Sequence, residues 1–155
     1  MGRHKSFKGA GEKRDQGGFV AIPLSVLRSR AYIKASPYGR TLLMDLVLQY
    51  RGDNNGDLCA AWKLMKPRGW RSEATLHKAK RELIELGLIV ETRKGWRPNK
   101  ASLYAVTWAD LDHCGGKLDI GQKGFTRGAY RLLDPLPVIS PKITVLTTPA
   151  VAKAA

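Results

Sequence analysis

The stretch that most limits what this chain can fold into is Arg71 to Ile89, RSEATLHKAKRELIELGLI. Ser72 is a good N-cap, because its hydroxyl can accept from an amide that the first turn leaves unpaired, and Glu73 suits the positive end of the helix dipole. Leu76, Ala79, Leu83 and Leu86 recur at three- and four-residue spacing, so they form one stripe of a helix that must be buried. Gly87 can take the left-handed conformation that ends a helix, and strand-like residues follow it. The opposite face carries His77, Lys78 and Arg81, with Arg71, Ser72 and Thr75 near the start. A helix that reads a DNA groove places its contacts there. Taken alone, a face rich in Lys and Arg is ordinarily a solvated surface, so the neighbouring segments have to carry the reading further.

The charge balance narrows the partner. The 155 residues suffice for one domain with a core and leave room for tails. With 27 Lys and Arg against 13 Asp and Glu, the net charge of +14 favours polyanions, nucleic acid ahead of a membrane surface. Half of that charge lies between residues 60 and 100, around the basic helix. There are two cysteines, Cys59 and Cys114, and no charged start leading into an apolar run of signal-peptide length, so a cytoplasmic protein is expected, with Cys59 a free buried thiol. No apolar run approaches the roughly 18 residues of a membrane span.

Residues 1–18 scatter Arg3, Lys5 and Lys8 among glycines and cannot bury enough to fold alone. They read either as a basic arm along phosphates or in a minor groove, or as a tail without contacts. The apolar run Phe19 to Ile22 is expected to pack, and Pro23 opens a helical turn through Leu24, Val26 and Leu27. Ser36 as cap and Pro37 at the first helical position predict a core helix to about Arg51, with Leu42, Leu43, Leu46, Val47 and Tyr50 on one face. Gly52 to Asp57 is a turn. It is not a calcium loop, because an EF-hand begun at Asp53 needs Gly at 58 and an acid at 64, where Leu58 and Leu64 stand. Leu58 to Lys66 is expected to be a short helix with Ala61, Leu64 and Met65 facing in, closed by Pro67 and Gly69. Trp62 and Trp70 read as packing residues ahead of nucleic-acid stackers.

Two helices across a glycine-containing turn make a helix-turn-helix. Beyond Gly87, Leu88 to Arg93 and Leu103 to Trp108 predict a hairpin. Its tip gathers Arg93, Lys94, Arg97 and Lys100 around Trp96, suited to phosphates and an adjacent minor groove, or else simply solvated. From Asp110 the periodicity fades into glycines and prolines. The expected organisation is a basic arm over 1–18, one domain over 19–109, and a loosely packed, partly disordered extension over 110–155, in which Val138 to Leu146 is apolar enough to pair with a second protomer.

The order helix, strand-like turn, helix, capped basic helix and basic hairpin, with RSEATLHKAKRELIELGLIVETR at its centre, resembles the winged helix-turn-helix superfamily. Over roughly residues 19–120, the runs YRGDNNGDLCAAWKLMKPRGWRS, ELGLIVETR and SLYAVTW resemble small bacterial helix-turn-helix proteins carried by phages, plasmids and integrated elements, several described as replication or regulatory proteins. The resemblance implies an α+β fold, mainly helical with a C-terminal β-hairpin wing. It also implies duplex DNA as partner, with residues 72–86 in the major groove and the 93–100 loop as wing, in a bacterial protein that joins the nucleoid when bound. Lys80 departs from the pattern, since relatives often have an apolar residue there, and its stem would pack while its ammonium reaches phosphate.

On this reading Thr75, His77 and Lys78 approach base edges, Arg71 and Arg81 straddle phosphates, and the wing cations add affinity without sequence preference. The role expected is regulation of transcription or replication on a mobile element, with a homodimer or a replication or regulatory protein as further partner. The rival readings are a protein-interaction module and an RNA binder, the latter disfavoured because the A-form major groove is too deep and narrow for a helix. Catalysis is not expected: the chain has no GxxxxGK(S/T) phosphate loop, HExxH pair or GxSxG elbow. His113 beside Cys114 lacks zinc-site spacing to the remaining His and Cys, so no metal or cofactor is expected either.

Overall fold

A computed structural model describes residues 17–96 and 98–132. The arm cations Arg3, Lys5 and Lys8, the wing residue Arg97 and the apolar run Val138 to Leu146 lie outside the described residues. Two short helices come first, α1 (Leu24–Leu27) behind Pro23 and α2 (Arg30–Lys34), whose cap Ser29 accepts from the Tyr32 amide. Val26, Ala31 and Ala35 are buried, whereas Phe19, expected to pack, remains 70% exposed. Only Ile22 of that apolar run packs on the core.

Helix α3 (Pro37–Val47) starts as expected, with the Ser36 hydroxyl accepting from the Gly39 amide and Pro37 in the first turn. Leu42, Leu43, Leu46 and Val47 are buried on one face, and Asp45 is buried with them. The helix ends at Val47 and does not reach Arg51: the Tyr50 amide falls back to the Val47 carbonyl three residues earlier, and the Asn54 side chain takes up the carbonyl of Gln49. The Gln49 side-chain amide donates to the Cys59 carbonyl at 2.9 Å and accepts from the Cys59 amide at 2.9 Å, as a neighbouring strand would. Cys59 is half-buried, not the buried thiol expected.

Leu58–Cys59 is a strand, β1, where a helix was expected, and only Trp62–Met65 is helical, as α4. Met65 is buried but Leu64 is 49% exposed, so the inward face expected of Leu58 to Lys66 does not form. Pairing with a distant strand outweighs the helical spacing, a competition that local pattern cannot show. A 3-10 turn over Lys66–Arg68 and left-handed Gly69 (φ 97°) lead into α5 (Glu73–Glu85). The Ser72 hydroxyl caps α5 at the Thr75 amide, and Leu76, Ala79 and Leu83 are buried. The expected apolar stripe therefore becomes the contact between α5 and α3.

Strands β2 (Ile89–Arg93) and β3 (Leu103–Val106) form the expected hairpin. They join β1 in an antiparallel sheet of order β1-β3-β2, with Leu58 opposite Tyr104 and Ile89 opposite Val106. Glu91 and Arg93 flank an irregularity at Thr92, whose hydroxyl turns to donate to the Gly56 carbonyl at 2.6 Å. β3 stops at Val106, short of Trp108, where the Thr107 hydroxyl donates to the Gly87 carbonyl at 2.6 Å. The whole is mixed helix and sheet, as an α+β chain should be.

Residues 110–132 are tied to the preceding elements at several points, although most of them remain exposed. Asn55, read as a turn residue, is 0% exposed. Its side chain donates to the carbonyls of Val106, Ala109 and Asp110 and accepts from the Val106 amide at 2.8 Å. The Asn55 amide donates to the Asp112 carboxylate at 2.7 Å. Farther on, the Asp119 amide reaches the Thr92 carbonyl, the Gly128 amide reaches the Thr107 carbonyl, and Leu111 and Tyr130 are buried. These are long-range bonds made by irregular backbone, so no periodicity announces them.

Candidate nucleic-acid interface

Helix geometry sorts the expected reading residues into three groups. Positions opposite the buried Leu76, Ala79 and Leu83 are Ala74, Lys78, Arg81 and Glu85, and all four are exposed. Thr75 lies on the flank towards α3, half-buried in a cleft of about 270 Å3 with Tyr38, Thr41, Trp70 and Arg71. His77 lies on the other flank, exposed, in a groove of about 490 Å3 between α5 and the hairpin tip. Arg71 and Ser72 are exposed at the start of the helix, though the Ser72 hydroxyl is already engaged by the Thr75 amide at 3.4 Å. The structure thus brings Lys78 and Arg81 to the solvent centre of the face and separates Thr75 from His77.

Two carboxylates missed by the sequence reading hold this face in place. Asp45, buried inside α3, accepts from the Trp70 indole N–H at 2.8 Å and from Arg68 Nε at 2.5 Å. It therefore fixes the turn that sets the entry of α5. A hydrogen bond to a charged acceptor contributes about 1.5–3 kcal/mol, and an unpaired buried indole N–H would cost a similar amount. Trp70 is a packing residue, with Tyr38 against it at 6.2 Å between ring centroids. Two turns beyond Thr75, along that same flank of α5, Glu82 accepts from the Ser36 amide at 2.7 Å and the Ser36 hydroxyl at 2.6 Å. A carboxylate of α5 thus caps the positive end of α3. Gly39 makes room for it, since a Cβ there would stand 2.7 Å from Glu82 Oε2. The signal for Asp45 was present, because a carboxylate inside the stripe Leu42, Leu43, Leu46, Val47 demands a partner.

The expected wing cations divide too. Lys94 is exposed, and its backbone amide is anchored on the Asp119 carboxylate at 2.9 Å. Lys100 lies over the Trp96 ring, its ammonium 3.9 Å from the centroid. Arg93 turns back along the hairpin, donating through Nη2 to the Ala101 carbonyl at 2.9 Å, with Nε buried and unpaired. It braces the hairpin from within. Lys80 likewise departs from its expected reach to phosphate: its ammonium donates to the Ala60 carbonyl at 3.3 Å, and burial pushes its pKa down. Beside it, burial raises the Tyr104 phenol to about 12, so this phenol stays neutral.

Among the described residues no helix is long and apolar enough to cross a membrane. No family model, no curated protein and no solved structure matches this chain.

Proposed function

We propose that the chain is a winged helix-turn-helix protein that binds duplex DNA, with α5 in the major groove and the β2–β3 hairpin as wing. The element order α3, β1, α4, α5, β2, β3 and the sheet order β1-β3-β2 suit that architecture. The observation that carries the function is the exposed cationic centre of α5, Lys78 and Arg81, braced from behind by Asp45 and Glu82. A helix about 10–12 Å across fits the B-form major groove. Phosphate contacts then fall to Arg71, Arg81 and Lys94, and base edges to Lys78 and His77. Regulation of transcription or replication on a mobile element is the role that such binding would serve.

A second reading, a protein-binding module, draws on the exposed apolar side chains Met44 of α3, Leu48 just past its end and Leu64 of α4. Fluorescence anisotropy with labelled duplex DNA over a salt series, with duplex RNA as competitor, separates the two. Binding whose affinity falls steeply with salt and resists RNA competition is the expected result. Absence of binding at low salt would sink the DNA reading and put the protein-binding module first.

A further inference from the structure

Trp96 is the feature that plain duplex binding leaves unused. Its indole is 64% exposed at the hairpin tip, even with the Lys100 ammonium over its ring. Trp96 and the described residues around it are nonetheless held by several bonds. Trp96 and Lys100 exchange backbone hydrogen bonds of 2.9 and 3.0 Å. The Gly95 amide donates to Ser102 Oγ at 3.0 Å, and a Cβ on Gly95 would stand 2.5 Å from the Ser102 amide nitrogen. Lys94 is tied to Asp119 just before it. An aromatic surface presented by such a braced tip loses little freedom on binding, which is the condition for a useful stacking platform.

The groove behind the tip has the matching chemistry. Its volume of about 490 Å3 lies in the range of small-ligand pockets. Trp62, Trp96 and Tyr104 supply flat walls, His77 and Lys80 come from α5, and Glu73 stands at its side. The Glu73 carboxylate repels a phosphate but accepts from the exocyclic amino group of cytosine or adenine. The interior therefore suits a base, while Lys100, which also lines the groove, is a cation for the backbone that leads to it.

We propose that this groove takes an unpaired nucleobase stacked on Trp96, so that the protein favours DNA carrying a bulge or a single-strand junction over a perfect duplex. The inference rests on the DNA-binding reading and adds the class of DNA. Stacking on an aromatic side chain is sequence-tolerant and strong enough to decide the preference.

The test is anisotropy with a short labelled duplex and the same duplex bearing one unpaired adenine, comparing the unaltered protein with Trp96→Ala and Trp96→Phe. Because Trp96 is exposed, both variants should keep the far-ultraviolet circular dichroism of the parent. The expected result is about tenfold tighter binding to the bulged duplex, abolished by Trp96→Ala with affinity for the perfect duplex unchanged, and largely kept by Trp96→Phe. Equal affinity of the unaltered protein for both DNAs overturns the inference while leaving duplex recognition standing. So does a Trp96→Ala variant that weakens both DNAs by one factor, which would make Trp96 a general wing contact. Failure to bind either DNA overturns both proposals together.

Discussion

At its N-terminal end α5 rises from the exposed Ser72 and turns Ala74, His77 and Lys78 to solvent, whereas its C-terminal end, although Arg81 and Glu85 still face solvent, is tied down on its other sides by neighbouring segments. There Glu82 is engaged by Ser36, Leu83 is buried, and left-handed Gly87 packs so closely that a Cβ would meet the Ala129 carbonyl oxygen at 2.8 Å. The Thr107 hydroxyl holds the Gly87 carbonyl as well. One helix thus has an anchored end and a presenting end. The contrast teaches why the cationic face can be polar without loosening the fold: the anchoring is done behind and below it. A surface that binds a ligand needs this division, because side chains committed to packing cannot also contact a partner.

The strongest way to break the contrast is to release the segment that closes the C-terminal end. Asn55→Ala would leave the Val106 amide and three carbonyls without their partner, and is expected to lower the unfolding free energy by about 3–5 kcal/mol in urea titrations. Hydrogen exchange should speed up over residues 110–132 in the same variant. Gly87→Ala attacks the anchored end directly, through both the positive φ of 69° and the Ala129 contact. About 1–3 kcal/mol of stability should be lost, read as a lower midpoint at unchanged slope. A neutral outcome would mean that the end is not closed as described.

Substitutions at the presenting end should do the reverse. Lys78→Ala is expected to leave stability within about 0.5 kcal/mol while removing about 1–3 kcal/mol of discrimination between preferred and unrelated duplexes. Loss of folding without loss of preference would place Lys78 on the wrong side of the comparison. The smallest effect belongs to Lys94→Ala on the β2–β3 hairpin. All duplexes should weaken alike, and the slope of log affinity against log salt should fall by about one, as for one lost phosphate contact.

How much of this was legible depended on the range of the interactions involved. The limits of α5 were, because a cap at Ser72, a three-four spacing of Leu76, Ala79 and Leu83, and a glycine at 87 all act within a few residues of one another. The hairpin was legible for the same reason. Strand β1 was not, since two residues carry no period and Leu58 becomes a strand only when Tyr104 lies opposite. Of the expected interface residues, Lys78 and Arg81 emerge together, while Arg93 and Lys80 turn inward to the carbonyls of Ala101 and Ala60. A cation in a basic stretch looks the same in sequence whether it faces solvent or a carbonyl.

The amino-acid sequence by itself determined the capped basic helix, its buried stripe, its glycine exit and the strong positive charge, because caps, spacing and charge are properties of neighbours along the chain. Only the tertiary structure decided which cations present themselves, that Asp45 and Glu82 hold the helix, and that Asn55 ties residues 106–112 to the turn at 52–57. Those outcomes rest on groups brought together across 25, 46 and 51 or more residues, where burial forces each polar atom to find a partner that local pattern does not name.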